Sequence, residues 1–194
     1  MTGRGPGKTL RVDAQRNHEQ IMATALRLLP EHGPDMPMEE LARAAEVGVG
    51  TLYRRFGGRE QLIEACAAAA FTSVTTHAQR AEAETDGWSA LSTFILDAAP
   101  DLMVVGCLST WYPDSWRKVK ASQAEQHRRS EIMAVLDRLV RQAQEQGRMR
   151  DDVDVDDVAM MLALVLRPIP GRTDTLDATR RYVSLMLDGL RTRP

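Results

Sequence analysis

Residues 38–62 read MEELARAAEVGVGTLYRRFGGREQL, and the fold follows from how this stretch divides. Pro37, just ahead of it, suits a helix start, where a missing N–H leaves no intrahelical bond unmade. Met38, Leu41 and Ala42 recur at helical spacing and point inward, with Glu39, Glu40 and Arg43 outward. Glu46-Val47-Gly48 is a tight connection into a second short helix, Val49 to Phe56, closed by Gly57-Gly58. On that helix Val49, Leu52 and Phe56 fall on one face, and Gly50, Thr51, Arg54 and Arg55 on the other, with Tyr53 at the border. A helix that enters the major groove needs this division: one face packed on its own domain, the other free and rich in donors.

Reading outward, a first helix is expected from about Ala14 to Leu29, with Ile21, Ala25, Leu28 and Leu29 as its apolar stripe and Pro30 with Gly33-Pro34 as its end. A long fourth helix opens at Arg59 and runs through the alanine-rich stretch Ala65–Ala70. Later helices are expected near Trp88–Ala99, Leu102–Ser109, Ser115–Gln146, Val155–Leu166 and Asp174–Leu190. Gly147 is placed as a C-cap, and Asp154 and Asp174 as N-caps. No run alternates with a period of two, so the expected fold class is all-α. Residues 1–58 are expected to form an arm and a tri-helical helix-turn-helix DNA-binding domain. Residues 59–194 are expected to form a larger C-terminal helical domain, with the fourth helix, about 59–78, bridging the two; its effector-binding and dimerisation role is what the resemblance given below implies.

The net charge is −2, so the chain as a whole is no attractor for a polyanion. Its distribution says more. The arm carries Arg4, Lys8, Arg11 and Arg16 against Asp13, and basic residues return as Arg54, Arg55 and Arg59. Acids gather instead at Asp151, Asp152, Asp154, Asp156 and Asp157. A basic end on an acidic body meets nucleic acid with one face only. No uninterrupted apolar run approaches the roughly 18 to 20 residues of a membrane span, and none follows the N-terminal charges as in a secretory leader. Cys66 and Cys107 lie far apart without a CxxC pattern, which fits the reducing cytoplasm. No membrane partner, metal or cofactor is expected.

The stretch Ala25–Leu62 resembles the DNA-binding domain of the TetR family of bacterial transcriptional regulators. The resemblance rests on Met38-Glu39-Glu40-Leu41-Ala42-Arg43-Ala44-Ala45, Val47, Gly50-Thr51-Leu52-Tyr53-Arg54-Arg55-Phe56 and Arg59-Glu60-Gln61-Leu62. In the family a Leu-Tyr pair is followed three positions later by an aromatic residue, and a basic residue opens the fourth helix. Three positions depart from it: Glu46 where the turn usually has glycine, Gly48 for the usual Ser or Thr cap, and Gly58 for the usual polar cap. The resemblance implies that Gly50, Thr51, Tyr53, Arg54 and Arg55 face DNA and that Arg59 meets a backbone phosphate. It also implies a homodimer on a double-stranded palindromic operator, acting as a repressor that a small-molecule effector releases.

In the C-terminal part, Trp88, Phe94, Met103, Cys107, Trp111, Trp116 and Met133 are the expected effector-pocket walls, with His77 as a polar contact. The alternative is that these large side chains fill an ordinary core. Val155–Leu166 is apolar on more than one face, and the last helix adds Leu176, Val183, Leu185, Met186, Leu187 and Leu190. Two such helices from each of two subunits would make a four-helix dimer seam; the alternative is burial in a monomer's own core. A helical enzyme finds no GxSxG, no HExxH and no phosphate-cradling loop, so no catalytic residue is expected. A ligand carrier that keeps the fold without reading DNA is the third reading, opposed by Arg54 and Arg55.

Overall fold

The computed structural model describes residues 6–167 and 175–192, with side chains over 14–167 and 177–192. Its first helix, α1, is Pro6–His32, and a 3-10 turn, Gly33–Asp35, leads to α2, Met38–Ala44, and α3, Val49–Phe56. Then come α4, Arg59–Ala81, α5, Gly87–Trp111, α6, Pro113–Ala121, and α7, Gln123–Glu145. The chain finishes with α8, Val155–Val165, and α9, Thr175–Leu190. The all-α expectation holds among the described residues. The helices Val49–Phe56 and the one opening at Arg59 start where their glycine flanks place them.

Proline is where the sequence reading fails. Pro30 lies inside α1 and Pro100 inside α5, so α1 continues to His32 and the two helices expected at 88–99 and 102–109 are one. A mid-helix proline costs a hydrogen bond and crowds the carbonyl four residues back. Here burial around each proline offsets that cost: Leu28, Leu29 and Pro30 itself in α1, and Ala98, Ala99, Met103 and Val104 in α5. The resulting α5 is long and apolar enough by composition to cross a membrane, but half of that stretch is buried inside the fold. The opposite error lies at Ser122, whose extended backbone splits the helix expected over 115–146 into α6 and α7.

Two contiguous cores organise the chain. One joins Ile21, Ala25 and Leu28 of α1, Leu41 of α2 and Leu52 of α3 to Leu62, Ile63 and Cys66 of α4, and extends to Val104, Leu108 and Val119. The other is built from Val74 and Ala78 of α4, Leu91, Phe94 and Ile95 of α5, Leu139 of α7, Val158 of α8 and Val183 of α9. α4 therefore runs from one core into the other. Gly87 lets the start of α5 meet the end of α7: a Cβ there would come within 2.6 Å of Ala143 N. Asp154 caps α8 in a capping box with Asp157, as expected, whereas Asp174 lies outside the described residues. Of the remaining acidic run, Asp152 pairs with Arg150 at 2.5 Å.

Helices α8 and α9 divide their apolar residues between two faces. Val158, Leu162, Val183, Leu187 and Leu190 turn into the core, so these belong to the fold and not to a seam. Met160 and Leu164, each 62% exposed, and Leu185, 56% exposed, stand outward with Met161 and Tyr182. Leu176 lies outside the described side chains.

Candidate nucleic-acid interface

α3 is held by its inner face. Leu52 is fully buried and Phe56 nearly so, whereas Gly50, Tyr53, Arg54 and Arg55 are exposed and Thr51 is half-buried. Val49, expected inward, is 38% exposed because it is the first helical residue and precedes the packed turn. Gly57 (φ 82) and Gly58 (φ 151) carry the chain from α3 to α4 through backbone that side chains resist.

The turn before α3 keeps its geometry without the customary glycine. Glu46 adopts φ 53, the left-handed conformation its position requires. Val47 N donates to Ala42 O at 2.9 Å and Glu46 N to Arg43 O at 3.1 Å, which closes α2 in a Schellman motif. The end of α7 uses the same motif with a glycine: Gly147 sits at φ 67, and Arg148 N donates to Ala143 O at 2.9 Å.

On the exposed face Arg54 Nη2 donates to Thr51 Oγ1 at 3.3 Å, so a hydroxyl and a guanidinium sit side by side. Arg55 donates to the carbonyl of Ala14, and His18 stacks on Phe56 with ring centroids 4.9 Å apart. The α1 backbone therefore passes the C-terminal end of α3.

Arg59 is the residue expected at a backbone phosphate as α4 opens. It is half-buried, and its guanidinium donates to Pro34 O at 3.3 Å and to Met36 O at 2.5 Å. Tyr112 Oη approaches Gly33 O at 3.3 Å and Pro34 O at 3.4 Å, and burial pushes the phenol pKa up, which keeps it a donor. Trp111 covers Gly33 from the same side, 3.8 Å from where a Cβ would stand. Lys118 of α6 pairs with Glu60 of α4 at 2.6 Å. Arg59 is thus a clamp on the 3-10 turn, and Tyr112 at the end of α5, a neighbour of Arg59, grips the same turn. Tyr112 in this role was missed; its place between Trp111 and Pro113 reads only as a helix break.

Among the described residues, the seven expected pocket residues fall in different packing environments. Trp88 is buried in the second core under the Arg191 guanidinium, 5.0 Å from its ring, and Phe94 is 2% exposed there. Both are core because α5 faces α7 and α9 along that stretch. Met133 is partly buried against the same core. Trp116 stacks on Phe71, with ring centroids 6.0 Å apart, and packs against the first core. Cys107 is fully buried, its thiol pKa pushed up to about 12 by desolvation. Met103 contacts Thr179 Oγ1 at 3.6 Å and lines a cavity of about 340 Å³ between α1 and α5, with Leu26, Pro30 and Pro100. His77 lies 3.7 Å from Asp101.

Residues 21–66 match the family model for bacterial regulatory proteins of the tetR family. Residues 89–192, more than half of the chain, match the model for the C-terminal domain of SbtR-like transcriptional regulators. No curated protein matches. Among solved structures, the TetR transcriptional regulator SCO0520 from Streptomyces coelicolor is 30% identical, covering 91% of this chain and 99% of its own, with a TM-score of 0.63. A TetR regulatory protein from Mycobacterium vanbaalenii is also 30% identical, covering 94% and 99%, with a TM-score of 0.62. AibR, solved with isovaleryl coenzyme A and operator DNA, shares the fold at 17% identity, covering 90% and 97%, with a TM-score of 0.60. The exposed α3 face, the helical body behind it and these matches lead to one conclusion: the chain belongs to the TetR family of bacterial transcriptional regulators.

Proposed function

We propose that the chain is a one-component repressor that binds a palindromic operator as a homodimer and releases it when a small-molecule effector binds. The observation that carries this reading is the face of α3, anchored by Leu52 and Phe56 and open at Gly50, Thr51, Tyr53, Arg54 and Arg55. Gly50 lets the backbone approach closely, and Thr51 supplies a methyl and a hydroxyl. Arg54 offers a fork that fits a guanine edge or a phosphate, while Arg55 and Tyr53 sit where phosphates flank the groove. A regulator of this kind works in the cytoplasm, where its operator is.

The exposed ridge of Met160, Leu164 and Leu185 supports the homodimer, since a second copy covers the same residues by two-fold symmetry. For the effector, Trp111, Trp116, Met103, Cys107 and Met133 are the proposed lining; Trp88 and Phe94 serve the core. AibR's complex with a ligand and an operator supports the pairing of the two functions on this fold. An effector changes DNA affinity only by favouring one arrangement of head and body. The grip of Arg59 and Tyr112 on the turn at 33–36 links the two. Footprinting on the DNA upstream of the gene, with and without a small-molecule library, tests the whole reading. Protection of an inverted repeat that some compound relieves is the expected result; no protected repeat would overturn it.

A further inference from the structure

We propose that the cavity between α1 and α5 is a binding site for a small hydrophobic ammonium compound, at the boundary between the α3-bearing head and the helical body. It holds about 340 Å³, at the small end of the roughly 300–1,000 Å³ of ligand pockets. Pro30, Met103 and Val104 form its buried floor, and Leu26 and Pro100 its half-buried sides. Of the residues proposed to line the effector site, Met103 is the one that reaches this cavity, so it is a different place from the region of Trp111 and Trp116.

The polar groups of the wall are short of donors. Two carboxylates, Glu31 and Asp101, stand there against one cation, Arg27. Arg27 and Glu31 are exposed and pair with each other at 3.7 Å, which leaves Asp101 facing His77. The Asp101 side chain is only 21% exposed, and His77 Nε2, its ion partner among the described residues, stands 3.7 Å away, longer than a hydrogen bond. A carboxylate so placed gains most from a charged donor. The proline in α1 leaves a second acceptor. Leu26 O points along the helix toward residue 30, where Pro30 has no N–H to give it, and both residues belong to the wall. An apolar floor beside a carboxylate and an under-donated carbonyl is complementary to an apolar body with an ammonium end. An anion of the same shape meets like charge.

Such an occupant touches head and body at once. The α1 wall, residues 23–31, lies between the crossing of α1 with α3 at Ala14 and His18 and the 3-10 turn held by Arg59 and Tyr112. The opposite wall belongs to α5. Filling the cavity therefore favours one setting of α1 against α5, and through α1 one setting of α3. This consequence rests on the reading of the chain as an effector-released repressor; the site itself does not.

The test titrates the full chain calorimetrically with three probes of similar shape: phenethylammonium, phenethyl alcohol and phenylacetate. The ammonium should saturate one site per chain, the alcohol should bind about tenfold more weakly, and the carboxylate should not bind. Asp101→Asn should bring the ammonium down to the affinity of the alcohol. Ala23→Trp, a change at an exposed wall residue, should close the site to both. Equal binding of the three probes, no binding of any, or an ammonium affinity untouched by both variants overturns the site. The ammonium is then added to the chain on a duplex recovered by selection, where it should weaken binding by the unmodified chain and not by Ala23→Trp. Saturation without a change in DNA affinity overturns the coupling and leaves the repressor reading standing. If selection recovers no duplex, the repressor reading fails, and the calorimetry still decides the site.

Discussion

Two exposed surfaces of this molecule have opposite chemistry. On α3 the outward residues are glycine, threonine, tyrosine and two arginines; on α8 and α9 they are Met160, Leu164 and Leu185. Each is paired with an inner face of the same kind, Leu52 and Phe56 for α3, Val158 and Leu162 for α8. Inward packing therefore does not distinguish the two; the outward chemistry does. A guanidinium-rich face gains from a polyanion and loses little in water without one. An apolar ridge gains nothing from water, and each large side chain covered is worth roughly 1.5–3 kcal/mol. The contrast is what carries the proposal that α3 faces DNA and that the ridge meets a second copy.

The largest effect is expected where the ridge is broken. Leu164→Glu with Leu185→Glu would place unpaired carboxylates at the seam, at a cost of several kcal/mol to association. Sedimentation should show a dimer for the unmodified chain and a folded monomer for the variant, because neither residue belongs to the core. Leu187→Glu is a different experiment: Leu187 is buried in the body's own core, so that change should unfold the chain. A chain that is monomeric at tens of micromolar would remove the ridge from the comparison.

Next come the arginines of α3. Arg54→Ala or Arg55→Ala should cost about 1–3 kcal/mol on a selected site if the residue reads a base edge, and much less on unrelated DNA. Competition binding separates the two residues, since Arg55 also holds α1 at Ala14. Arg59→Ala sharpens the comparison differently. Its two carbonyl bonds make it a structural clamp, so the change should lower unfolding stability by about 2 kcal/mol in urea. The salt slope of DNA binding should stay nearly unchanged; a slope reduced by about two, one phosphate for each subunit of the proposed dimer, would return Arg59 to the phosphates. The smallest effect lies in the turn. Glu46→Gly should raise stability by about 1 kcal/mol by relieving a left-handed residue, and Gly147→Ala, in the same motif on α7, should lower it by a similar amount.

How legible each surface was in the sequence follows from how local its determinants are. The head was readable because glycines at 48, 57 and 58 and the spacing of Leu52 and Phe56 act within one or two turns. Even the strain at Glu46 could be anticipated from its position between α2 and α3. The body resisted because its decisions are tertiary. Pro30 and Pro100 look like helix ends until the burial around them is known, and Ser122 breaks a run that carries no glycine or proline. Trp88 and Phe94 are large and apolar, so composition alone could not say whether they line a cavity or fill a core. Arg59 was assigned by likeness of position, but its partners are carbonyls at 34 and 36 that no periodicity identifies.

The central claim, that two α3 helices held by one ridge read DNA together, is tested most directly by selection from a pool of random duplexes with the purified full chain. Sequencing of the retained duplexes should give two inverted half-sites about one helical turn, roughly 34–36 Å, or a multiple of it apart. The same selection with the ridge variant Leu164→Glu/Leu185→Glu should give single half-sites or no enrichment. A pool that stays random with the unmodified chain, or inverted half-sites that persist with a monomeric ridge variant, would contradict the account.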